Sequence, residues 1–237
     1  MLETDATKNG EQFSVYSIKE ITHPKTEKDL ALEVLVDGQA LAGFIVRLLE
    51  IRQEQEANES EVESDGADQD DDFVMEVIGE GFSEVGGLLV SRSGINDSLK
   101  KSSVSIDQSM MLNSSGKSTT WIEMSSFDIQ KAMEMGNVSG WIHSQPGGTA
   151  PSVKSGENPS DERVSRMISK FTNCSSHIAF IVDRYGKKIT AYLYNSDADL
   201  ASGEEYFTRI KGLKIKIPSN MDTELKSHLL NLQYTDV

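Results

Sequence analysis

A histidine and a glutamine stand two residues apart, His143 and Gln145, at the end of a short apolar stretch that reads Gly-Trp-Ile-His-Ser-Gln. Alternate side chains of an extended strand share one face, so both residues should project into one cleft, with Trp141 behind them on the same side. A pair of side chains placed in this way can hold two positions around one metal ion. The segment therefore predicts a metal-site geometry at a strand end.

Other elements must bring further groups to this cleft. Glu84 opens a second strand signal, Glu-Val-Gly-Gly-Leu-Leu, and glycines inside a strand usually mark the close approach of another backbone or a ligand. A helix is predicted over residues 127–135, capped by Ser125 or Ser126 and ended by Gly136. Helices are also predicted over 39–56 and 159–171, a strand over 73–78, and a hairpin turn at Arg184-Tyr-Gly-Lys187.

These residues resemble the core of the JAMM (MPN/JAB) zinc isopeptidases, in which the motif reads His-Ser-His-Pro-Gly. The Glu-x-x-Gly-apolar-apolar strand and the order helix, Gly-Asn, strand, His-Ser are also similar to that family, and the resemblance covers roughly residues 30–196. It departs from the family at Gln145, where the second histidine would stand. The resemblance implies an α/β fold of MPN type, a curved mixed sheet flanked by helices with cytidine-deaminase-like layering.

The resemblance also implies a role for each matching residue. Members of the family hold one zinc ion with two histidines and one aspartate and leave a fourth position for water. His143 would be the first ligand and Gln145 would occupy the place of the second. Glu84 would accept the proton of the water as the general base, and Ser144 would be the motif serine near the developing oxyanion.

The aspartate ligand is harder to place, because the family spacing counted from Gln145 leads to Val153. The best register is Asn158-Pro-Ser-Asp161, in which Asn158 caps a helix and Asp161 is both an acid in its first turn and the zinc ligand. A rival register, over residues 155–158, puts Asn158 at the aspartate position, and plain helix capping would also explain Asp161.

An amide oxygen is a weak zinc ligand compared with imidazole, so Gln145 predicts weak or absent zinc binding. His177, at the start of the next strand, is an alternative third ligand, although its position favours a histidine in a surface turn.

Composition limits the possible partners. The 237-residue chain has a formal net charge of −15, which argues against nucleic-acid binding, and 37% hydrophobic residues, which suits one sizeable core. A single cysteine permits a reducing compartment, and neither a membrane span nor a signal peptide is indicated. The expectation is a cytoplasmic protein without a nucleic-acid or membrane partner.

The chain divides into an N-terminal arm (1–28), a JAMM/MPN-like domain (29–198) and a C-terminal strand-helix extension (199–237). Ten of the acidic residues lie between positions 53 and 72, and this segment has one large apolar residue, Val62. It predicts an insertion that is disordered or weakly helical, and an acidic docking tail for a basic partner is the alternative.

Three functions stay open at this point. The first is a domain derived from a zinc isopeptidase or peptidase that acts on ubiquitin-like tails, with a degraded metal site at Gln145. The second is an active isopeptidase with an atypical third ligand, and the third is a non-catalytic MPN scaffold or binding subunit that pairs with an MPN-type protein or with itself. An unrelated α/β binding protein that reproduces the motifs by chance is a further alternative.

Overall fold

A computed structural model of the chain describes residues 3–8, 11–20, 30–65, 84–112, 124–145, 148–151, 161–198, 200–202 and 205–234. These residues form an α/β structure with helices packed on mixed sheets, so the predicted α/β class is confirmed. We expected one curved mixed sheet. The described strands instead divide between two sheets, and both of them are mixed.

The described helices are α1 (Gly38–Asp65), α2 (Ile95–Lys100), α3 (Ser126–Met135), α4 (Asp161–Thr172) and α5 (Thr223–Asn231), with a short 3-10 helix at Leu200–Ser202. The described strands are β1 (Glu3–Lys8), β2 (Glu11–Ser17), β3 (Lys19–Glu20), β4 (Glu33–Asp37), β5 (Gly86–Ser91), β6 (Ser103–Ile106), β7 (Gln108–Met111), β8 (Asn137–Gln145), β9 (Ser176–Asp183), β10 (Lys188–Asn195), β11 (Phe207–Arg209), β12 (Leu213–Pro218) and β13 (Gln233–Tyr234).

The first sheet has the strand order β1-β2-β12-β4-β6. The second sheet has the order β3-β13-β10-β9-β8-β5-β7. β11 lies outside this order and pairs with β10 in the antiparallel direction. Within the second sheet β8 runs parallel to β9 and antiparallel to β5. The strand that carries His143 therefore lies inside a sheet, with a hydrogen-bonded neighbour on each side.

Both ends of the chain contribute strands to these sheets. β12, from the segment 199–237, lies between β2 and β4 and pairs with both. β13 likewise joins β3 to β10. The arm and the extension set apart in the sequence thus share backbone hydrogen bonds with the segment between them.

Each face of the second sheet is buried against a different layer. One face shares a core with the first sheet and with α1, in which Phe44, Ile142 and Phe180 are fully buried. The other face carries Trp141, Ala179 and Ile181 and is covered by α3 and α4. Burial of apolar surface on both sides explains the nearly continuous apolar run of β9, over residues 178–182.

Local signals in the sequence predicted several elements correctly. Ser125 caps α3 with a capping box that includes Asp128, and the turn after β9 joins β9 and β10 as an antiparallel hairpin. α1 is longer than predicted, because the helical backbone continues from 53 to Asp65 within the acidic segment. Residues 66–72 of that segment and the strand predicted at 73–78 lie outside the described residues.

Candidate functional site

The site is assembled where β5 begins and β8 ends. Gly86 pairs with His143 across the two antiparallel strands, as the resemblance required, and this prediction is confirmed. Glu84 precedes β5 by two residues, so its backbone enters the sheet next to the His143 end of β8. Gly86 itself places no side chain beside His143 at this pairing position.

His143 is held in place by aromatic stacking. Its side chain is almost fully buried, and its ring lies 4.6 Å from that of Trp141 at an interplanar angle of 16°. Trp141 Nε1 in turn donates a hydrogen bond to Ser165 Oγ on α4, at 3.1 Å. The predicted backing by Trp141 is confirmed, and the hydrogen bond ties α4 to the strand that carries His143.

Asp161 is the first residue of α4, and this helix brings its carboxylate to the histidine. The Oδ1 atom of Asp161 lies 3.5 Å from Nε2 of His143, and both side chains are buried. Two ligands of one tetrahedral zinc ion, each about 2.1 Å from the metal, would be about 3.4 Å apart. The spacing of this pair is therefore compatible with a shared metal ion.

The surroundings shift the pKa values of both the histidine and the glutamate. Burial lowers the pKa of His143, and the Asp161 carboxylate and the Gln145 side chain oppose this in part. Burial, followed by the charge of Asp161, raises the pKa of Glu84 to about 8 from its ordinary 4.5. The histidine is thus kept in the neutral form that binds metals, while the glutamate holds its proton at neutral pH.

Two polar atoms of the site have no hydrogen-bond partner among the described residues. They are Oε1 of Gln145 and Nδ1 of His143, both buried. The side-chain amide of Gln145 raises the pKa of His143. Even so, neither Gln145 Oε1 nor His143 Nδ1 lies within hydrogen-bonding geometry of a described residue. Metal-bound histidines usually donate their second ring N–H to a carboxylate or carbonyl, so this support for His143 as a ligand is missing.

Ser144 is not brought to the same place as His143. Neighbouring residues of an extended strand point to opposite faces, and its fully buried hydroxyl accepts a hydrogen bond from Val85 N at 2.8 Å. Ser144 N also donates to Val85 O at 2.8 Å. The catalytic role expected for Ser144 stays a prediction. The contact that the structure shows for its Oγ is the hydrogen bond from Val85 N, which joins the end of β8 to the residue before β5.

His177 is also placed differently from the expectation. The surface-turn interpretation is wrong, because only 1% of His177 is exposed, its ring packs on Tyr194, and burial lowers its pKa to about 3. As a substitute ligand it lies too far away. His143 pairs with Ile181, and His177 lies four residues before Ile181 in β9, a separation of about 13 Å along the strand.

Asn158, the expected helix cap, lies outside the described residues. In the part of the chain that the structure describes, no group of three or more His, Cys, Asp or Glu side chains is arranged to hold a metal ion. The predicted residues that come together are His143, Asp161 and Glu84, with Gln145 beside them.

Sequence reasoning missed Ser165, which only the packing of α4 reveals as the hydrogen-bond acceptor of Trp141. It also treated Arg184, Tyr185 and Lys187 as a plain hairpin turn. In the structure this turn borders a cavity, and the signal that could have revealed it is the concentration of cations around one tyrosine.

No family model matches the chain, and a search of curated proteins finds no match. No helix of the described residues has the length and apolar character to cross a membrane.

Proposed function

We propose that the chain is a JAMM/MPN-like domain derived from a zinc-dependent isopeptidase, with a metal site degraded at Gln145. The observation that carries this proposal is the 3.5 Å approach of His143 Nε2 and Asp161 Oδ1 beside the strand entry that holds Glu84. Three residues that the resemblance assigns to one site thus come from three separate segments of the chain.

The residues present fit a weakly bound divalent ion. Neutral His143 and the Asp161 carboxylate would hold it, and the unpartnered Oε1 of Gln145 would add a neutral oxygen. Zinc, when bound at such a site, supplies Lewis-acid chemistry at neutral pH. A nearby cation would also favour the ionised form of Glu84, which would then be able to accept a proton.

The weak site favours binding over turnover. Replacing imidazole by an amide oxygen removes a strong ligand, and no described residue forms a hydrogen bond with His143 Nδ1 to fix its ring. We therefore propose a cytoplasmic domain that binds a ubiquitin-like protein or its extended tail without cleaving it efficiently. Pairing with an MPN-type protein, or with a second copy of this chain, belongs to the same proposal.

An active isopeptidase is the second candidate. The observation that favours it is the buried Oε1 of Gln145, which has no hydrogen-bond partner among the described residues and shares a strand face with His143, since this oxygen would then act as an atypical third ligand. Glu84 would still serve as the base, and Asp161 would keep its role.

Elemental analysis of purified protein, dialysed against a chelator, distinguishes these candidates. The protein as it stands should retain well under one zinc ion per chain, whereas Gln145→His should raise the content toward one per chain. The matched control is Gln145→His combined with Asp161→Asn, which should lose this gain. Cleavage of a ubiquitin-like isopeptide conjugate is then measured on the same samples, with Glu84→Gln as the variant that keeps the metal and loses cleavage.

Chelator-resistant, stoichiometric zinc in the unaltered protein would overturn the degraded-site proposal and support the active enzyme. A Gln145→His variant that gains no zinc would show that Asp161 is not a ligand. That result would remove the metal-site ancestry from the proposal altogether.

A further inference from the structure

A cavity of about 590 Å³ lies at the opposite end of β9 from His177. The β9–β10 turn forms one wall, α1 contributes Leu49, and α5 and β13 contribute His228, Asn231 and Gln233. Gly148, three residues beyond Gln145, also lines the cavity. None of the functional roles considered so far uses this cavity.

Its lining is cationic in a chain that is strongly acidic. Arg184, Lys187 and Lys188 line it, against one carboxylate among the described lining residues, that of Asp183. Oδ1 of Asp183 accepts hydrogen bonds from the backbone N–H groups of Lys187, at 2.7 Å, and Lys188, at 2.8 Å. That carboxylate is therefore engaged in holding the turn, while the three cationic side chains are exposed.

An aromatic ring of the cavity, that of Tyr185, contacts Arg184 in the lining and also Arg52, which is not among the described lining residues. The guanidinium carbon of Arg184 lies 4.7 Å from the ring centre of Tyr185, and that of Arg52, on α1, lies 4.5 Å from it. Nη2 of Arg184 also donates a hydrogen bond to the Tyr185 hydroxyl. A guanidinium held against a ring loses less side-chain freedom when it binds an anion, so Tyr185 pre-organises its neighbours.

The size and layout of the cavity indicate what it would bind. A single small anion would fill little of 590 Å³, whereas an extended segment could meet cations on the turn and amides at Asn231 and Gln233. Side-chain amides both donate to and accept from a peptide backbone. Exposed lysines that surround a pre-organised arginine are suited to several carboxylates rather than to one fixed group.

We infer that this cavity binds an acidic peptide segment of a partner protein, whose carboxylates contact Arg184, Lys187 and Lys188. The net charge of −15 on the whole chain repels an acidic segment elsewhere on the surface, so the attraction must come from the local cations of this cavity. The proposed binding uses no metal. It does not involve His143, Asp161, Glu84 and Gln145, which together form the His143 cluster.

The test is a titration of fluorescently labelled hexaglutamate with the full chain at low ionic strength, in which fluorescence anisotropy reports binding. The same peptide with glutamine at every position is the ligand control. Lys187→Gln combined with Lys188→Gln should raise the Kd for hexaglutamate about tenfold. Lys100→Gln combined with Lys101→Gln removes the same charge at exposed positions on the end of α2, and it should change the Kd less than about twofold.

Circular dichroism and thermal melts check that each double variant folds, and Arg184→Gln provides a single substitution with the same expected direction. Absence of saturable hexaglutamate binding would overturn the inference, as would equal weakening by the Lys100 and Lys101 changes. Inorganic polyphosphate that binds more tightly than hexaglutamate through Lys187 and Lys188 would identify a phosphate ligand instead. A gain of more than about tenfold when the acidic residues at 70–72 become asparagine would assign the cavity to the chain's own acidic run.

Discussion

Replacing Glu84 by glutamine should make stability less sensitive to alkaline pH. Burial, and then the Asp161 carboxylate, raise the pKa of Glu84 to about 8, whereas an unfolded glutamate titrates near 4.5. Between these values the folded protein holds a proton that the unfolded chain has lost. The folded state therefore binds more protons, and the stability that depends on Glu84 falls as pH rises through this window.

The size of the effect follows from the same two pKa values. The difference between 4.5 and about 8 corresponds to at most about 5 kcal/mol of unfolding free energy. Glu84 is only partly buried, and screening by the solvent reduces the expected effect to about 2–3 kcal/mol. Relative to the unaltered protein, Glu84→Gln should gain this amount between pH 5 and pH 9.

Urea unfolding of chelator-treated protein at both pH values measures the gain. The relevant quantity is the change with pH in the free-energy difference between variant and unaltered protein, because titrations common to both proteins cancel. Glu134→Gln, at an exposed carboxylate on α3, provides the matched baseline. The contradicting outcome is a free-energy difference between Glu84→Gln and the unaltered protein that is the same at pH 5 and pH 9. In that case the surroundings do not destabilise the ionised carboxylate of Glu84, and the electrostatic account of the site fails.

Three further predictions concern the sheet around the site. Ser144→Ala should destabilise the fold by about 1–3 kcal/mol, measured by urea unfolding, because the buried N–H of Val85 loses its acceptor. Ser219→Ala, which removes an exposed hydroxyl, is its control and should stay within about 0.5 kcal/mol. His177→Phe should flatten the loss of stability between pH 6.5 and pH 3, since burial lowers the histidine pKa to about 3 and only the unfolded chain gains a proton in that window. Gly140→Ala should prevent β8 from pairing with β9, at a loss of about 3 kcal/mol or more in unfolding free energy, because its Cβ would overlap the backbone oxygen of Ile178 in β9; soluble protein of unchanged melting temperature would contradict this.

Elements defined by local signals could be predicted from the sequence. Ser125 and Gly136 marked the ends of α3, and the glycine-containing turn marked the β9–β10 hairpin. The pairing of β5 with β8 also followed, because the resemblance required these two strands to lie side by side. Asp161 was found through the physical preference of acids for helix starts, although residues 152–160 lie outside the described residues.

The division into two sheets could not be read in the same way. β12 enters the first sheet between β2 and β4, and pairings so distant in sequence leave no local mark on composition or periodicity. His177 is different, because a signal was present: it shares a strand face with Ala179 and Ile181, both fully buried. A histidine in register with two buried apolar residues should have been assigned to the core.

The side chain of Ser144 shows why a motif and a strand can support different conclusions. The resemblance treats His143 and Ser144 as neighbours in one site, whereas the pleat of β8 sends them to opposite faces. Strand geometry applies to any sequence that adopts this backbone. The hydrogen bond from Val85 is therefore the stronger guide to what Ser144 does.

The His143 cluster brings imidazole, carboxyl and amide groups together at one strand end, where they are unfavourable neighbours. The charge of Asp161 adds to the cost of ionising Glu84, and Gln145 Oε1 and His143 Nδ1 are both buried without a hydrogen-bond partner in the part of the chain that the structure describes. Each buried polar atom without a partner opposes folding by about 1–3 kcal/mol, so an ordinary core would not collect several of them at one strand end. A bound cation would relieve the carboxylate repulsion and give the amide oxygen a partner in a single event. The groups that are unfavourable neighbours at this strand end are therefore the ones that a cation would contact at the proposed site, and its affinity would depend most on Gln145, whose neutral amide oxygen is the weakest ligand among them.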